Sequence, residues 1–116
     1  MTDEQLQRTI LRILIDHPGR ARPISRRALC NRLAAYRIAE RRIRQAIRTL
    51  RRQGHLIGSA PGPAGGYYLI TTLDEYQHFL QTEYLAKIKD MSETVKSMNK
   101  AAQQQFDSNP LQPKLL

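Results

Sequence analysis

The chain has 116 residues, enough for one domain with an appendage, and its 41% apolar content can build a modest core. Its formal charge of +9 is unevenly placed: residues 1–72 hold fourteen arginines, no lysine and four acids, net +10, whereas residues 73–116 hold five lysines and six acids, net −1. A single cysteine excludes an internal disulfide framework, no apolar run approaches the ~18 residues of a membrane span, and the polar start Met1-Thr2-Asp3-Glu4-Gln5 does not read as a signal peptide, so a cytoplasmic location is expected.

Clustered cations point to a polyanion, because binding releases phosphate counterions. A basic surface kept for solubility is the alternative, but exclusive use of arginine favours a ligand that takes bidentate contacts, such as phosphate or guanine.

Thr2 and Gln5 have the spacing of a capping box and open a first helix, whose buried face is Leu6, Ile10, Ile13 and Leu14. His17-Pro18-Gly19 ends it. Pro23 drives Arg22 into extended backbone, and Arg22-Pro23-Ile24 is a candidate for a short third strand. Ser25 caps a second helix, with Ile24 and Leu29 at the spacing of a hydrophobic staple. Leu29, Cys30 and Leu33 form its apolar face, which places Cys30 as a buried small residue.

After the turn Tyr36-Arg37-Ile38, a third helix is predicted from about Ala39 to Gln53, stopped by Gly54. Two strand patterns, His55–Ser59 and Tyr67–Ile70, flank the Pro- and Gly-rich loop Ala60–Gly66 and read as a hairpin. Thr72 and Glu75 form a second capping box, opening a long helix to about Gln105. Asp107 to Leu116 holds two prolines and no periodicity, the pattern of a flexible tail.

The third helix carries the functional signal. At ~100° per residue, Ile43, Ala46, Ile47 and Leu50 share one face, and the opposite face carries Arg41, Gln45, Arg48 and Arg52. Arg42, Arg44 and Thr49 flank it. Such a helix fits between a core and a DNA major groove. Gln45 can pair with adenine and arginine can fork onto guanine, so Arg41, Gln45 and Arg48 are the candidates for base readout. Arg42, Arg44 and Arg52 are the candidates for phosphate contact. A solvated charged face is the plainer reading, but it leaves six arginines between positions 41 and 52 without neighbouring acids beyond Glu40.

The stretch from Glu40 to Ile57 resembles the recognition helix and first wing strand of winged helix-turn-helix DNA-binding domains, and Gly65-Gly66-Tyr67-Tyr68-Leu69 resembles their second wing strand. With the charged amphipathic helix that follows, residues 3–100 are similar to small prophage-encoded winged-helix proteins. The resemblance implies a mainly α fold with a small β-hairpin: a winged helix-turn-helix domain over 1–72, a C-terminal helix over 73–106 and a tail over 107–116. It also implies double-stranded DNA as partner and transcription regulation as the role. Replication or DNA packaging in a phage, or a protein- or RNA-binding adaptor, are the alternatives. The loop 60–66 departs from DNA-gripping wings in having no lysine or arginine.

Tyr84, Ile88, Met91, Val95, Met98 and Ala102 alternate four- and three-residue steps, a heptad seam that points to a homodimer. Two such domains would read half-sites about one helical turn apart or a multiple of it. Packing of Leu73, Tyr76, Phe79 and Leu80 onto the first domain is the compatible alternative for the start of that helix. His17, His55 and His78 lack metal spacing, Tyr36, Tyr67 and Tyr68 are expected to pack on the core, and no catalytic motif appears. Neither an enzyme nor a cofactor is expected.

Overall fold

The computed structural model describes residues 1–106, and the tail expected at 107–116 lies outside them. Residues 1–79 form one compact unit, and a second begins at Leu80. The described chain is mainly helical, with a two-stranded antiparallel hairpin and a long C-terminal helix.

Helix α1 (Asp3–Leu14) starts at its capping box: Thr2 Oγ1 accepts the Gln5 N–H at 3.1 Å, and Gln5 Oε1 accepts the Thr2 N–H at 2.9 Å. Asp3 and Glu4 complement the positive end of the helix dipole. In α2 (Arg26–Leu33), Ser25 Oγ accepts the Ala28 N–H at 3.0 Å. Leu29 and Leu33 are buried there, but Cys30 is only half-buried, at the margin of the core rather than inside it.

A 3₁₀ turn (Ala34–Tyr36) and Arg37 lead into α3 (Glu40–Arg52). Leu6, Ile10, Ile13 and Leu14 from α1 join Leu29, Leu33, Ile43, Ala46, Ile47 and Leu50 in one core, closed by Ile24, Ile57 and Tyr67. Burying each large aliphatic side chain contributes about 1.5–3 kcal/mol. Tyr67 and Tyr68 are buried as expected, whereas Tyr36 is 54% exposed. Tyr36 faces solvent, not the core as its residue type suggests, because it ends the 3₁₀ turn beyond the last buried residue of α2.

Strands β1 (Ile57–Ala60) and β2 (Gly66–Leu69) pair with Ile57 opposite Leu69 and Gly58 opposite Tyr68. Strand β1 begins two residues later than its apolar pattern suggests. The His55 N–H is used at the end of α3, donating to the Leu50 carbonyl at 3.0 Å while Gly54 N–H donates to Arg51. That double closure is the Schellman arrangement, and it leaves His55 outside the ladder. Tyr68 lies over Gly58, where an added Cβ would sit 2.4 Å from the ring.

The expected third strand is reduced to two contacts on the free edge of β2. Ile24 and Tyr67 exchange N–H···O bonds of 2.9 Å each, and His17 and Gly19 bracket Leu69 with bonds of 3.0 and 2.8 Å. Pro18 and Pro23 have no N–H to give, so no continuous ladder forms between them. The close approach also explains Gly66: a Cβ there would lie 1.9 Å from the Ile24 carbonyl oxygen.

The helix predicted from 73 to 105 is instead α4 (Leu73–Leu80), a π-helical turn (Gln81–Leu85) and α5 (Ala86–Phe106). Thr72 Oγ1 caps α4 by accepting the Glu75 N–H at 3.1 Å. The Glu75 carboxylate accepts the nearby Thr71 N–H at 2.9 Å and hydroxyl at 3.0 Å, and the distant Arg20 N–H at 2.9 Å. The Arg20 guanidinium also donates to His78 Nε2.

The amide donated by Thr71, then that of Arg20, holds the Glu75 carboxyl below its ordinary value of 4.5. A carboxylate with a lowered folded-state pKa contributes stability above its unfolded pKa and loses it as pH falls through the folded value. Glu75→Gln should therefore be less stable than the parent near neutral pH, and the gap should close as both are unfolded by urea at progressively lower pH down to about 3. A gap that stays constant over that range would show that the carboxylate charge does not hold this turn.

Candidate nucleic-acid interface

The rotation of α3 about its axis decides which side chains meet solvent. Ile43, Ala46, Ile47 and Leu50 are all buried, so Arg41, Gln45, Arg48 and Arg52 come out together on the opposite face. Arg44 is exposed on one flank and Thr49 on the other. All three candidates for base readout, and Arg44 and Arg52 among those for phosphate contact, are thus exposed on one helix. Among the described residues, none of the four arginines at 41, 44, 48 and 52 has a hydrogen-bond or ion-pair partner. A helix dipole favours cations in the last turn, which accounts for Arg51 and Arg52 but not for Arg41 in the first.

Arg42 differs. Its guanidinium donates to Asp3 Oδ1 from Nε at 3.2 Å and from Nη2 at 3.1 Å, and to the Met1 carbonyl at 2.6 Å. Its side chain is 37% exposed and satisfied within the chain. Near-neighbour reading finds only Glu40 as an acid beside these arginines; folding brings Asp3 from the start of α1. Arg42, Arg48 and Arg52 together with Gln45, Gln7 and Asp3 line an open groove of about 320 Å³ between α1 and α3. The groove is cationic by composition, with Asp3 its one carboxylate.

Arg51 is a structural arginine. Its Nε donates to the Ile57 carbonyl at 2.8 Å, Nη2 reaches Ser59 Oγ at 3.3 Å, and the guanidinium lies 5.0 Å from the centre of the Phe79 ring. One side chain thus ties α3 to β1 and to α4. Arg26 lies 5.8 Å from the Tyr67 ring centre, a looser cation–π contact.

The turn before α3 holds a feature that no sequence pattern signals. Arg37 has φ 54° and ψ 44°, the left-handed region, and is the one described non-glycine residue with positive φ. Left-handed backbone costs an L-residue about 1–2 kcal/mol. Ala39 then stands at the N-cap of α3 without a side-chain cap, where α1 and α2 have Thr2 and Ser25. No group of three or more His, Cys, Asp or Glu able to hold a metal ion occurs among the described residues.

In α5, the seam side chains Ile88, Met91 and Met98 are 60%, 67% and 67% exposed in the single chain; Tyr84, also exposed, lies before α5 in the π turn, whose wider winding takes it out of the regular repeat. Val95 and Ala102 are partly covered. No described helix is long and apolar enough to cross a membrane.

Comparison with family models, with curated proteins and with solved structures gives no match. The arrangement of these side chains is therefore the basis for any functional reading.

The two classes of arginine separate by stability. Arg51→Ala removes two charged hydrogen bonds and a ring contact and should cost about 2 kcal/mol in urea unfolding, whereas Arg48→Ala should stay within about 0.5 kcal/mol of the parent. Equal losses at the two positions would contradict this division.

Proposed function

We propose that this chain binds double-stranded DNA in the manner of a winged helix-turn-helix protein, with α3 as recognition helix and the hairpin as wing. The observation that supports this reading best is the face of α3 opposite the core. It presents three arginines and a glutamine, uncovered and without internal partners, on a helix of thirteen residues. A helix of this width enters a major groove, where Arg41, Gln45 and Arg48 would meet base edges. Arg44 would meet phosphate from one flank and Arg52 from the C-terminal end of the outer face. Arg42 would serve there as a second-line contact, since binding through it must replace the Asp3 pair.

The exposed seam of α5 supports a second copy of this chain as partner. Within α5, Ile88, Val95 and Ala102 take one core position of the heptad and Met91 and Met98 the other; Tyr84 has the spacing of the second set but lies in the π turn before the helix. Ile88 and Val95, β-branched at the first of these, favour a two-stranded parallel pair. The charges Lys89, Asp90, Glu93, Lys96 and Lys100 all fall on the outer positions, so two like helices meet without like charges at the seam. Such a dimer would act in the cytoplasm by occupying DNA, as a bacterial or phage transcription regulator does.

Binding to labelled duplex DNA should weaken steeply with salt, with a log–log slope steeper than about −3 per bound chain. Arg48→Ala should lower affinity by about 1–3 kcal/mol. Absence of duplex binding at low salt would remove this function, and equal affinity for single-stranded RNA would reassign the ligand.

Sedimentation equilibrium tests the pairing separately. The parent chain should dimerise and Ile88→Glu should be monomeric with its helical content unchanged. A dimer that survives Ile88→Glu places the interface elsewhere.

A further inference from the structure

We infer that Arg37, in the turn between α2 and α3, is an additional contact to the DNA backbone, resting on the duplex-binding reading above. The turn needs a left-handed residue at this point: the Arg37 N–H closes the 3₁₀ turn by donating to the Ala34 carbonyl at 3.0 Å, and the chain then reverses into Ile38 and Ala39. Glycine or asparagine fills such a position at little cost. Arginine does not, and its long side chain gains nothing within the chain in return. It is exposed, and among the described residues its guanidinium has no hydrogen-bond or ion-pair partner. Strain kept at an exposed, cationic residue three positions before α3 is accounted for by a ligand that the guanidinium reaches.

The chemistry of that ligand follows from the place. Arg37 precedes the helix whose outer face carries Arg41, Gln45 and Arg48, so a duplex seated on that face brings its backbone to the start of α3. A guanidinium on a phosphate there adds affinity and fixes register without reading sequence. Arg37 is accordingly a positioning residue for DNA, distinct from the base-reading set. Its contribution should be similar on every sequence.

The experiment measures affinity and fold stability on the same variants. Arg37→Asn and Arg37→Gly, which suit left-handed backbone, should keep or raise the thermal midpoint. Both should bind a labelled pool of random-sequence duplex DNA about three- to tenfold more weakly, with a salt slope smaller by about one. Arg37→Lys should recover most of the affinity. Arg12→Gln removes the same charge from α1 and should change binding much less. Variants at Arg37 that bind with parental affinity and slope overturn the inference while leaving duplex binding intact. A fall in affinity matched by a fall in the thermal midpoint overturns it too, since Arg37 would then be structural. If the parent chain binds no duplex at low salt, the duplex-binding reading fails and this inference fails with it.

Discussion

Four side chains, Ile43, Ala46, Ile47 and Leu50, set the rotation of α3, and most of what is exposed on this molecule follows from them. Turning the helix by one residue would carry Arg44, Arg48 and Arg51 towards the core and expose aliphatic surface. Each buried, unpaired guanidinium would cost several kcal/mol, and each exposed isoleucine or leucine would lose about 1.5–3 kcal/mol. The two penalties have the same sign, so the outward arginine face is enforced by the core. It does not depend on any contact the arginines make themselves.

Tertiary structure then sorts arginines that composition counts as equal. Arg51 is spent on β1 and the Phe79 ring, Arg42 on Asp3 and the Met1 carbonyl, and Arg20 on His78. Arg41, Arg44, Arg48 and Arg52 keep their donors for solvent or a ligand. The net charge of residues 1–72 therefore overstates the cation available to a polyanion, while the outer face of α3 concentrates it. Affinity for a polyanion should follow that local count.

The parts of the fold that are legible in the sequence are those set by near neighbours. Both capping residues of α1, the Ser25 cap, the buried stripes of α1 and α3, and the glycine stop at Gly54 all follow from residues within five positions. The features that escape are non-local or belong to the backbone. Ile24 meets Tyr67, 43 positions further along the chain, a pairing that no local spacing encodes. Arg42 finds its acid on another helix, Tyr36 leaves the core because the chain has already turned, and the π turn at Gln81–Leu85 breaks a helix whose apolar spacing reads as continuous. The candidate interface was readable as a set of residues on a face. Which of them are free was not.

Two local choices run against the interests of a solitary chain: an arginine in left-handed backbone at position 37, and exposed Ile88, Met91 and Met98 on α5. Natural sequences tend to be consistent at every level except where function intervenes. On the proposed reading, these exceptions belong to two partners, DNA and a second copy, and the partners are thermodynamically coupled. A seam of fewer than three heptads that relies on methionine and alanine stabilises a pair weakly in free solution. Two chains held on neighbouring half-sites meet at high effective concentration, so DNA promotes pairing without any new contact. By reciprocity, pairing must then strengthen DNA binding by the same factor. A weak seam thus makes occupancy of paired sites rise steeply with protein concentration, because the dimer forms most readily where two half-sites already lie side by side.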